Sequence, residues 1–215
     1  MTMGELVHPQ LSALGVADWQ IVEDDIKEHL ARTGERQRAA FAAASAEHLW
    51  RPDERPPEVR GLTISPRSVL DQVWETLIGE GDRRPELQHA LWSFNEVDVA
   101  DENSEADEDA VAATVYAAEA LIEGKSDSAF VAARRLIDHA FSRAADALGP
   151  EPPELMRWWA LPEGTLLRLT EEARHPIVQS ALQQLENYLS TAEADPLTPE
   201  IALSLRERSA GRRVA

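Results

Sequence analysis

A chain of 215 residues suits one large domain, which buries about 70% of its unfolded surface without needing a covalent staple. Cysteine is absent, which excludes disulfides, thiolate metal sites and thiol nucleophiles together. Lys plus Arg is 21 against 39 for Asp plus Glu, and the resulting formal charge of −18 repels nucleic acid and anionic lipid while favouring basic partners.

The first residues, Met1-Thr2-Met3-Gly4-Glu5, lack the basic region and apolar run of a signal peptide. Uncharged apolar stretches fall well short of the roughly 20 residues that span a bilayer. A cytoplasmic protein with no membrane segment is expected.

Ala, Leu, Glu, Arg and Gln dominate, and alternating runs of β-branched and aromatic residues are missing, so the expected fold class is all-α. In chain order, 18–31 reads as a helix with Trp19, Val22, Ile26 and Leu30 on one face. A second helix covers 36–50, and a connector with three prolines follows at 51–60. The spacing then predicts a helix over 66–78. Ser65 caps it, Pro66 fits its first position, Gly79 ends it in the left-handed region, and Leu70, Val73, Trp74 and Leu77 form its apolar face. A short helix covers 85–94. Segments 104–123 and 126–148 form a pair separated at Gly124, with Ser126 as the cap of the second and Phe130, Ala133, Ile137, Ala140, Phe141, Ala144 and Leu148 as its buried seam. So short a connection implies an antiparallel αα-hairpin, and its many alanines permit close approach. Segment 154–172 is helical in part, broken near Pro162 and Gly164. A last long helix covers 176–192, with Val178, Ala181, Leu182, Leu185, Tyr188 and Leu189 on its face. The expected architecture is a single-domain multi-helix bundle over 1–194, centred on the Ala-rich hairpin, with a short arginine-bearing tail over 195–215.

The stretch Ser68-Val69-Leu70-Asp71-Gln72-Val73-Trp74-Glu75-Thr76-Leu77 resembles the YjaG-like family of small bacterial proteins, which carry a similar Leu-Asp-x-x-Trp-Glu-Thr-Leu helix. An upstream helix, an acidic stretch leading into an Ala-rich hairpin, and the His175-Pro176 step before a long C-terminal helix agree with that pattern. The resemblance covers roughly 36–194; the first 35 residues and the arginine-bearing tail have no counterpart. It implies a helical fold, and it transfers no activity and no functional residue.

The strongest local feature is a run of eight acids without a base: Glu96, Asp98, Asp101, Glu102, Glu105, Asp107, Glu108 and Asp109. These are the candidate partner-binding residues. The competing reading, which carries more weight on residue type alone, is a solvated connector followed by a helix N-terminus stabilised by its own acids. A calcium loop is excluded because the run lacks the central glycine.

Two Glu-x-x-His pairs, Glu86 with His89 and Glu172 with His175, have the spacing of a di-iron helix. Pro85 and Pro176, however, put both at helix ends, away from where such ligands project. Asp25 and His29 stand one turn apart, as an ion pair would. Glu105 and Glu108 supply half of the carboxylate spacing of an all-α pyrophosphohydrolase, but Ile122 stands where the partner pair of Glu119 would need an acid. No phosphate-binding glycine loop or nucleophile elbow is present. Trp158 and Trp159 diverge by about 100° on a helix, so one of them is a candidate interface anchor or the cover of a helix seam. No cofactor or metal is expected. The functional expectation is a non-enzymatic acidic protein that binds a basic protein partner, in the manner of an immunity or inhibitor protein. The alternative is a metal-dependent hydrolase built on interhelical carboxylates. Homo-oligomerisation stays open.

Overall fold

The computed structural model describes residues 16–50, 64–96, 105–149, 171–194 and 196–211, with side chains from residue 22 onward in the first segment. Regular structure among them is entirely α-helical: α1 (Val16–Arg32), α2 (Glu35–Leu49), α3 (Pro66–Ile78), α4 (Arg84–Glu96), α5 (Glu105–Glu123), α6 (Ser126–Leu148), α7 (Pro176–Ala192) and α8 (Pro199–Ser209), with a helical turn at 171–174 before α7.

The expected hairpin forms from α5 and α6 and shares the centre of the bundle with α2. Every residue from Ala39 to Glu47 is buried. A helix with small side chains on all sides has no polar face to present to water, and it is thin enough to be surrounded. The remaining helices form an outer layer. Helices α3 and α4 pack on α5, α1 packs on α6, and α7 packs on α6 and α2.

Local chemistry fixes the ends. The Ser65 hydroxyl accepts from the Ser68 N–H at 3.2 Å, Pro66 opens α3, and Gly79 closes it at φ +90°. The turn between α5 and α6 requires a glycine. Gly124 sits at φ +66°, and a Cβ there would lie 2.7 Å from Glu35 Cγ. Arg38 secures that turn by donating to the Gly124 carbonyl at 2.6 Å and to the Thr33 carbonyl at 2.7 Å and 3.0 Å. One guanidinium thus ties the α1–α2 and α5–α6 turns together.

Several expectations need correction. Lys125, not Ser126, occupies the α6 cap position, and no side chain caps the helix there. Leu148 is 39% exposed and Phe141 only partly buried, so the buried seam of α6 ends at Ala144. The segment from 196 to 211 is no tail. It forms α8, capped by the Thr198 hydroxyl and packed on α2, α3 and α7 with Ala202 and Leu205 fully buried. The connector at 51–60, Trp158 and Trp159, residues 154–170, and Arg212 and Arg213 lie outside the described residues, as does the side chain of Trp19.

Candidate functional site

The acid run divides. Glu96 ends α4, and Glu105, Asp107, Glu108 and Asp109 occupy the first turns of α5, while Asp98, Asp101 and Glu102 lie outside the described residues. Side chains are described only for Glu108 and Asp109. Asp109 does not belong to an outer acidic face. Its side chain keeps 14% exposure and stands 3.6 Å from Arg135 Nη1 and 3.8 Å from His139 Nδ1, both on α6. Burial pushes its carboxyl up to about 6, the Arg135 guanidinium pulls it down, and the neighbouring charges of Asp138 and Glu108 push it up. The reason is rotational: Asp109 immediately precedes the buried Ala110 and Val111, so it shares the edge of the α5 core face.

Asp109 stands behind the wall of an open cleft of about 390 Å³ between the C-terminal end of α2, the middle of α6 and the start of α7. The polar lining is His48, His139, Arg143 and Ser180. Leu49, Leu136 and Ile177 supply apolar wall. Tyr188 lies within 2.7 Å of His48 Nδ1 through its hydroxyl. Burial pushes the Tyr188 pKa up, so the phenol keeps its proton and can donate to Nδ1. These lining residues come from three helices far apart in sequence, so no local spacing signals them.

A second polar cluster explains the tryptophan-centred motif. Glu47, with a side chain 4% exposed, accepts two hydrogen bonds from Arg67, at 2.8 Å and 3.0 Å, and one from Trp74 Nε1 at 3.0 Å. Arg67 also donates to Asp71 at 2.8 Å, and Asp71 receives Arg206 from α8. Glu75 accepts from Arg83 at 2.9 Å, and the Thr76 hydroxyl accepts from the Arg83 backbone N–H at 3.0 Å. Leu70 and Leu77 are fully buried. Each named position of Leu70-Asp71-x-x-Trp74-Glu75-Thr76-Leu77 therefore joins α3 to α2, to the start of α4 or to α8, or fills the core. A carboxylate held by a bidentate guanidinium and an indole N–H is satisfied in place.

Of the Glu-x-x-His pairs, Glu86 and His89 are exposed on α4. His175 caps α7 by accepting from the Ile177 N–H at 3.3 Å, and Glu172 is buried in the preceding turn. Among the described residues no three His, Asp or Glu side chains gather as metal ligands would. His29 lies 3.9 Å from Asp25 and 2.8 Å from Glu193, joining α1 to the end of α7. Trp74 and Trp50 are buried, the latter donating to the Thr114 hydroxyl at 2.9 Å, whereas Trp92 is 71% exposed on α4. No described helix is long and apolar enough to cross a membrane. No family model, curated protein or solved structure matches the chain.

Proposed function

We propose that this chain is a non-enzymatic, cytoplasmic interaction protein that uses its negative field to recruit a basic protein partner, as an immunity or inhibitor protein does. The observation that carries the reading is the charge of −18, together with where the described carboxylates lie. The most buried one in the α2–α3 cluster, Glu47, is consumed by Arg67 and Trp74, and Asp109 faces Arg135. Asp24, Glu28, Asp82 and Glu86 stand out in solvent, each more than half exposed. Charges placed outside accelerate encounter with an oppositely charged surface and suppress like-charged partners.

Glu96, Asp98, Asp101, Glu102, Glu105, Asp107 and Glu108 are the proposed centre of the docking surface, and Asp109 leaves that set because it turns toward α6. The hydrolase alternative calls for carboxylates converging between helices, whereas buried Glu47 and Glu23 and half-buried Asp109 meet arginines instead. The motif on α3 further suggests kinship with the YjaG-like proteins, in which the same residue types would serve the same interhelical joints.

Capture from the host's own lysate tests the proposal, with the full chain as bait at low and at moderate salt and bound proteins identified by mass spectrometry. A stoichiometric partner of basic composition that leaves as salt rises is the expected result. An empty bait at low salt, or a partner held independently of salt, overturns it.

A further inference from the structure

Helix α1 is seated differently from the rest of the bundle. Every other described helix packs on two or more described neighbours, whereas α1 packs extensively on α6 alone. On the side facing α2 and α7 its packing is incomplete. An unfilled gap of about 20 Å³ lies there, between Val22 and Ile26 of α1, Phe41 of α2, and Leu182, Leu185 and Leu189 of α7. A gap lined mainly by apolar side chains forfeits the dispersion contacts that a close-packed seam would make. We infer that α1 is a displaceable occupant, and that the groove it covers, formed by α2, α6 and α7, binds an amphipathic helix of a protein partner. The inference uses no residue of the acid run, and it stands or falls separately from the partner-docking reading.

The fastenings of α1 are of a kind that a partner can replace. Val22, Ile26 and Leu30 recur at i, i+4 and i+8 on one buried face, while Asp24, Lys27, Glu28 and Arg32 are exposed. Anchors so spaced are how a helix enters an apolar groove. At the rim, Glu23 stands 3.7 Å from Arg134, the Lys27 ammonium lies 4.5 Å from the centre of the Phe130 ring, and His29 Nδ1 lies 2.8 Å from Glu193. Arg134 and Phe130 belong to α6, and Glu193 directly follows α7. The rim thus offers a guanidinium to an acid, and a ring face and a carboxylate to cations. These groups reach water when α1 leaves, so breaking the pairs costs little.

The junction permits release without disturbing the centre. Only Thr33 and Gly34 separate α1 from α2. Arg38 holds the Thr33 carbonyl at 2.7 Å and 3.0 Å and the Gly124 carbonyl at 2.6 Å. That tie lies on the α2 side of the junction, so α2 and the α5–α6 turn stay joined when α1 swings away. The occupant that fits the groove carries branched aliphatic residues at i, i+4 and i+8 and a cation at i+5, as α1 does.

A fluorescein-labelled peptide of residues 16–33 is the probe, titrated into the full natural chain and into the full chain carrying Ile26→Asp. The substitution puts a charge on the seated face of α1 and leaves the α2, α6 and α7 walls unchanged. The variant should keep a cooperative melt and bind the peptide saturably, about tenfold or more tighter than the natural chain, in which α1 competes. A peptide carrying Ile26→Gln should bind neither chain. In the natural chain, the amides of 23–32 should exchange hydrogen together, about tenfold or more faster than those of α2 and α6. Global unfolding of the Ile26→Asp chain overturns the inference, because α1 would then be integral to the core. So does a peptide that fails to saturate the variant by about 1 mM, that binds both chains equally, or that binds as well with Ile26→Gln. Exchange of α1 in step with α6 overturns it too.

Discussion

Trp74 combines two roles that a hydrophobic count would record as one. Its ring is fully buried, and its Nε1–H is one of the three donors that hold the Glu47 carboxylate inside the protein. Removing the ring leaves a cavity and unpairs part of a buried charge. Trp74→Ala should therefore destabilise the fold by about 3–5 kcal/mol, whereas Trp74→Phe, which keeps most of the ring and loses the N–H, should cost about 1–3 kcal/mol. Urea unfolding of the two variants measures both. A Trp74→Phe variant as stable as the natural chain would show that the Glu47 bond contributes nothing. Asp109 gives a second residue-level expectation with a definite sign. Its folded pKa of about 6 is raised above the ordinary value of 3.8, so the folded state binds the proton more tightly than the unfolded state. The group's penalty on stability is absent at low pH and grows as pH rises through that interval. Asp109→Asn removes the penalty. Relative to the natural chain, the variant should gain about 1 kcal/mol between pH 5 and pH 7.5, read as the change in urea midpoint. A difference independent of pH would mean that Asp109 titrates as an ordinary surface acid.

Helix by helix, what the sequence disclosed tracks how local the cause was. The ends of α3 are set by Ser65, Pro66 and Gly79, all within or beside the helix, and the buried face of α7 is a repeating pattern within one segment. Those were legible. The central place of α2 was not, because its alanines have a weak apolar signature, and only neighbours on every side show that they are enclosed. The docking of α8 was missed for a similar reason. The Arg206–Asp71 pair spans 135 residues, and its arginine, with Arg208, looks in sequence like part of a basic tail. The motif on α3 was visible as a pattern, but its meaning lay in Glu47 and Arg206, on other helices. The cleft was wholly hidden, since His48, His139 and Ser180 meet only in the folded bundle. Asp109 was placed on the surface because a run of acids was treated as one unit, although adjacent helix positions diverge by about 100°. A firm consequence follows for α8: Leu205→Ala should destabilise by about 2–5 kcal/mol, and a chain ending at residue 194 should melt well below the full one. An unchanged melting temperature for the shortened chain would restore the tail reading.

For the whole molecule, charge and fold divide the labour. The core of small and branched apolar residues, with Glu47 and Arg67 internally matched, makes the bundle, and described carboxylates such as Asp24, Glu28, Asp82 and Glu86 are left to solvent, where they act at a distance. Recruitment of a basic protein should weaken with added salt. The measurement that bears most directly on the proposed function is the association rate between the full chain and its captured basic partner across ionic strength. Electrostatic recruitment predicts an association rate that falls about tenfold or more from low to physiological salt, with the dissociation rate nearly constant. An association rate indifferent to salt would contradict it.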